Sequence, residues 1–145
     1  MAVRIFRRKR GRQLLWNAEL KILDEVLRQV PQYTRETIQT QLEQVCKAQR
    51  ICQNIEMSMY FSKKQGANLD FLAKLNTNAI EYKLAKVLFR QTPDEEATTC
   101  SIWIVNGHIF MLEYSRPMPK LRKADIEIES IEIFPEPGAL LYPEG

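Results

Sequence analysis

Residues 98–117 read TTCSIWIVNGHIFMLEYSRP. Asn106-Gly107 sits between two apolar runs, and this dipeptide favours a two-residue type I′ turn because both positions need positive φ. The turn sets a register: Val105 opposite His108, Ile104 opposite Ile109, Trp103 opposite Phe110, Ile102 opposite Met111. One face of the hairpin then carries Cys100, Ile102, Ile104, Ile109, Met111 and Glu113. The other carries Trp103, Val105, His108, Phe110, Leu112 and Tyr114. The first face suits packing under helices. The second is aromatic and needs a cover. Three covers compete: the chain's own segment 63–78 or C-terminal tail, a protein partner or second copy, and a small ligand held beneath a covering segment. Aromatic side chains are the usual anchors of protein interfaces, so Trp103, His108, Phe110 and Tyr114 are the candidate partner-binding residues.

Working outward, the hydrophobic period upstream is helical. Trp16, Leu20, Leu23, Leu27 and Val30 form a stripe widened by Leu15, Ile22 and Val26, which predicts a helix over 13–29. Val30-Pro31 ends it. A second helix is expected from Thr34 or Arg35 to Lys47, with Thr34 as N-cap and Ile38, Leu42 and Val45 as its narrower stripe. The short link makes the two helices an antiparallel pair. From Ile51 to Phe61 the period drops to two, which reads as one half-exposed strand with Glu56, Ser58 and Tyr60 on its polar side. Residues 63–78 read as a loop with a short helix, and 80–90 as a strand of blurred alternation. In DIEIESIEIF the isoleucines change phase between Glu129 and Ser130, and a β-bulge is the natural device. Glu127, Glu129 and Glu132 read as a charged edge that deters sheet-to-sheet pairing. The expected architecture is α+β, in the order α-α-β-β-β-β-β. The N-terminal helix pair packs on one face of a roughly five-stranded twisted antiparallel sheet.

The 145 residues fit one domain, with 45% hydrophobic and 27% charged side chains. A net charge of +3 conceals an asymmetry. Arg4, Arg7, Arg8, Lys9, Arg10 and Arg12 form a basic arm (1–12) without an acid, leaving 15 basic and 18 acidic residues in the body (13–145). The body is not a cationic nucleic-acid platform, so a nucleic-acid role would rest on those six arm residues. Small-ligand binding is the other alternative.

Catalytic constellations are not evident. His108 is the only histidine, and it reads as a solvated residue beside the turn. Cys100 lies at the far end of the hairpin from it, too far for a dyad. No phosphate loop, dinucleotide fingerprint or zinc-ligand spacing occurs, so no cofactor and no metal are expected. Cys46, Cys52 and Cys100 cannot all pair, which points to free thiols in a reducing, cytoplasmic setting. No apolar run approaches a membrane span. The function expected is a non-enzymatic protein-interaction module, binding another protein or itself through the aromatic sheet face. Immunity proteins of bacterial toxin systems and adaptors are of this kind, by analogy of size and composition alone.

Overall fold

Helix α1 (Asn17–Leu27), shorter than the 13–29 expected, presents Ile22, Leu23, Val26 and Leu27 to the core. The computed structural model describes residues 11–61, 73–91 and 96–135. Helix α1 starts after Trp16, whose backbone N–H donates to Glu19 Oε1 at 2.8 Å. Arg35 meets its last carbonyl and the link beyond, donating from Nε to Leu27 O (2.8 Å) and from Nη2 to Val30 O (3.1 Å). Pro31 precedes α2 (Gln32–Glu43), so the helix begins earlier than Thr34. Thr34 lies inside it and is buried. Fixed φ at Pro31 suits an entry residue, and its carbonyl accepts the Arg35 N–H at 2.9 Å. Ile38 and Leu42 are fully buried.

The α+β reading holds, with six strands rather than five. They are β1 (Val45–Ile51), β2 (Glu56–Phe61), β3 (Glu81–Gln91), β4 (Thr98–Val105), β5 (His108–Tyr114) and β6 (Ile126–Ile133). All pairings are antiparallel, in the order β1-β2-β5-β4-β3-β6. The additional strand comes from the segment read as one strand, which is a hairpin. Its turn passes through Cys52, Gln53 and Asn54, all at positive φ (50, 56 and 67°). Only Asn among them favours that region, and left-handed backbone costs other residues about 1–2 kcal/mol each. The turn is held from outside: Gln53 O accepts from Met118 N (2.7 Å) and Asn54 Nδ2 donates to Met118 O (2.9 Å). Since β1 starts at Val45, α2 ends at Glu43 rather than at Lys47.

Bulges align the inner face. Glu129 is the extra residue in β6, between Ser130 opposite Leu88 and Ile128 opposite Phe89. It restores the phase of Ile126 and Ile128 with Ile131 and Ile133, as the isoleucine pattern predicts. In β3 the extra residue is Leu84, which brings Tyr82 into phase with Ala85, Val87 and Phe89. The core collects these with Met57, Met59, Ile102, Ile104, Ile109 and Leu112 against the two helices.

Two polar devices tie helices to sheet. The Glu19 side chain is wholly buried, and Arg50 of β1 meets it in a fork: Nη2 to Oε1 at 2.6 Å and Nε to Oε2 at 2.9 Å. The same guanidinium donates to Leu14 O at 3.0 Å and stacks 3.8 Å from the Trp16 ring centroid. The second device is Gln41, also fully buried. Its Nε2 donates to Ala73 O (2.8 Å) and Gly107 O (3.0 Å), and its Oε1 accepts from Ile109 N (2.8 Å). Leu75 N donates to Gly107 O at 2.8 Å. The hairpin turn is therefore clasped between α2 and the segment 73–80. Gly107 (φ 78°) has no room for a side chain, since a Cβ there would lie 2.8 Å from Leu75 O.

Replacing Gln41 by Leu should cost about 2–3 kcal/mol, because the Ile109 N–H is left buried without an acceptor. Urea unfolding with an unchanged slope checks this. Arg50→Met should cost about 3–5 kcal/mol by stranding the Glu19 carboxylate, and the double variant Glu19→Leu/Arg50→Met should recover a large part of it. Equal losses in the single and double variants would contradict the pairing.

Candidate functional site: the outer sheet face

The Asn106-Gly107 turn forms as the residues require, with φ of 52° and 78°. Val105 opposite His108 and Ile104 opposite Ile109 follow. Beyond that the register departs from expectation. Trp103 lies opposite Met111, Ile102 opposite Leu112 and Cys100 opposite Tyr114, because Phe110 is an extra residue. A bulge moves every later side chain to the other face. Leu112 (0% exposed) and Tyr114 (2%) are thus in the core beneath the helices. Tyr114 sits edge-on to Phe89, 6.0 Å between centroids. It does not belong to an aromatic outer face.

The outer face retains Trp103 and Phe110, both half-buried, and gains Met111. One row across it runs Gln49, Ser58, Met111, Trp103 and Lys83. Trp103 is held in place on two sides: its Nε1 donates to Glu113 Oε1 at 3.0 Å, and Lys83 Nζ lies 5.3 Å from the ring centroid. Lys83 Nζ is also 5.9 Å from the Phe134 ring. Phe110 packs edge-on against exposed Tyr60 (6.0 Å), over which Lys47 sits at 5.7 Å. Tyr60 and Glu56 were readable from the alternation of β2. Lys47 was not, because its strand was assigned to a helix.

Charge on this face is uneven. Register places Lys47, Lys83, Lys86 and Arg90 outward. It also places Glu56, Glu81 and Glu113 outward, with Glu127 and Glu132 on β6. Arg90 is engaged by the bulged Glu129 (Nε to Oε2, 2.6 Å), which holds its guanidinium pKa above the ordinary value. Glu56 and Glu113 stand directly opposite one another on β2 and β5. Like charges so placed repel, and among the described residues neither carboxylate has a cationic partner within ion-pair distance.

The remaining candidates separate. His108 is not a solvated turn residue. It is 9% exposed and packs against Phe61 at 5.9 Å. Burial, and then the Lys74 ammonium, lower its pKa from 6.5. Cys100 is fully buried, and burial pushes its thiol pKa far up, which makes it an inert core residue. Burial raises the Tyr114 hydroxyl likewise. Of the basic arm, Arg12 is within the described residues and is committed to Asp24, with Nη2 3.0 Å from both carboxylate oxygens. Arg4, Arg7, Arg8, Lys9 and Arg10 lie outside the described residues, as do most of 63–78 and the tail from 136 onward. Gly11 is packed so closely on the end of α2 that a Cβ would collide with Leu42 O. Among the described residues no group of three His, Cys, Asp or Glu side chains could hold a metal ion, and no helix is long and apolar enough to cross a membrane. No family model matches the chain, and neither a curated protein nor a solved structure is detectably similar to it.

The depressed His108 pKa has a signed consequence. As pH falls past about 6.5 the unfolded chain takes the proton first, so His108 removes stability on acidification and is silent above that pH. His108→Gln should therefore lose less Tm than the parent between about pH 7.5 and 5.5. Parallel Tm–pH curves would show that the imidazole is not desolvated.

Proposed function

We propose that the protein is a non-enzymatic interaction module that binds a protein partner through the outer sheet face. The observation that carries this reading is the facing pair Glu56 and Glu113, beside an indole already held by Glu113. Two opposed carboxylates next to an ordered aromatic form a receptor for a cationic side chain: Coulomb attraction draws it in and the ring face accommodates it. Met111, Phe110 and Tyr60 extend the surface with apolar area around that point. A preordered Trp loses little conformational freedom on binding, which is the property of an interface anchor. The partner expected is a protein presenting Lys or Arg among apolar residues. Excess acid on this face disfavours nucleic acid as its ligand and disfavours stacking against an identical face. Three free thiols, Cys46 and Cys52 exposed and Cys100 buried, fit a reducing cytoplasmic setting.

The test is affinity capture followed by a binding titration against the protein captured. Trp103→Ala should weaken the complex by about 30-fold or more, roughly 2 kcal/mol. The double change Glu56→Gln/Glu113→Gln should weaken it and flatten its salt dependence. Both variants should keep the parent's unfolding transition. Binding indifferent to all three positions would refute the reading. So would a concentration-dependent dimer, seen by ultracentrifugation, that Trp103→Ala dissociates, since the face would then serve self-association.

A further inference from the structure

The segment after β5 carries a second charged feature, apart from the outer face. A groove of about 1070 Å³ opens beside Gln91 at the end of β3, lined by Arg116, Pro117, Pro119, Lys120, Arg122 and Lys123 and also by Ala124 and the acidic Asp125. Its frame is fixed. Met118 (1% exposed) and Leu121 (0%) are core residues, and Met118 is hydrogen-bonded through both its N–H and its carbonyl to the β1–β2 turn. A short 3₁₀ turn, Leu121–Lys123, then packs on α1. Arg116 is immobilised, with Nε on Thr98 Oγ1 (2.8 Å) and Nη2 on Glu96 O (2.7 Å). Those bonds occupy part of its five-donor fork and leave the rest. Lys120, Arg122 and Lys123 are exposed. Among the described residues none of these three has an ion-pair partner.

We propose that this groove binds a small polyanion carrying two or more linked phosphate groups. Four cations held within eight positions of one rigid segment outnumber Asp125, the one acid among the described lining residues, and a multivalent anion relieves their mutual repulsion where a monovalent one does so only in part. Arg116 offers the planar fork suited to phosphate oxygens, and the lysines act as point charges around it. The volume is that of a small-molecule site. Among the described residues no aromatic side chain lines it, so they offer no stacking platform of the kind that holds single-stranded nucleic acid. The ligand is therefore a compact phosphate chain, free or attached to a small molecule.

The experiment is calorimetric titration of the full chain with sodium triphosphate, orthophosphate and a single-stranded oligonucleotide. Triphosphate should bind at least about tenfold more tightly than orthophosphate. The variant Lys120→Ala/Arg122→Ala/Lys123→Ala should weaken it about tenfold or more while keeping the parent's unfolding transition. Trp103→Ala should leave it unchanged, which separates this site from the outer face. Four results overturn the proposal. The first is no triphosphate binding, and the second is binding that survives the triple substitution. The third is binding lost instead on Arg7→Ala/Arg8→Ala/Arg10→Ala. The last is an oligonucleotide bound through Lys120, Arg122 and Lys123 that triphosphate does not displace.

Discussion

The amide of Gln41 is the constraint on which the arrangement turns. One side chain from α2 satisfies Gly107 O, Ala73 O and the Ile109 N–H at once. A buried amide can be kept only if its donors and acceptor are all met, so α2, segment 73–75 and the hairpin turn have one mutual position. That position fixes where β4 and β5 reverse. The hairpin is the centre of the sheet, with β2 on one side and β3 on the other, so both faces inherit their registration from it. Arg50 and Glu19 perform the corresponding task at the β1 edge. Their desolvation is offset by a two-point fork, a further carbonyl and the Trp16 ring.

Much of this was legible because certain residues have few uses. Asn106-Gly107 could hardly be anything but a tight turn. The shift from Ile126 and Ile128 to Ile131 and Ile133 could be reconciled with one buried face only by an extra residue, and Glu129 is that residue. The bulge at Phe110 left no such trace. Phe110, Met111 and Leu112 are all apolar, so either phase satisfies the pattern and the faces beyond the bulge cannot be assigned from periodicity. That ambiguity put Leu112 and Tyr114 on the wrong side. The turn at Cys52–Asn54 was hidden for a different reason. It adopts left-handed backbone without glycine or proline and is held by Met118, distant in sequence, so Asn54 is its one local signal.

The site was legible in proportion to how local it is. Trp103 and Phe110 were found from the hairpin alone. The carboxylate pair was not, because Glu56 and Glu113 lie far apart in the chain and only the pairing of β2 with β5 brings them opposite. The same holds for the groove: RPMPKLRK is basic and carries two prolines, but its docking at Met118 and Leu121, which turns it into a lined surface, depends on the β1–β2 turn and α1.

The distribution of charge also bears on which surface is available to a partner. Among the described strands β1 and β6 are outermost, and an outermost strand risks pairing with another chain. On β6 the outward positions Glu127 and Glu132, with the bulge at Glu129, place negative charge and an irregular ladder at one edge. On β1 a register shift at Cys46 and the outward Lys47 interrupt the other. Both edges thus carry features that discourage strand addition. The face between them, by contrast, holds its aromatics in defined orientations. Disfavouring the backbone route while ordering side chains in the middle of the sheet favours recognition by side-chain chemistry. A surface of that kind selects a partner by the position of a charge and a few apolar groups rather than by any extended strand.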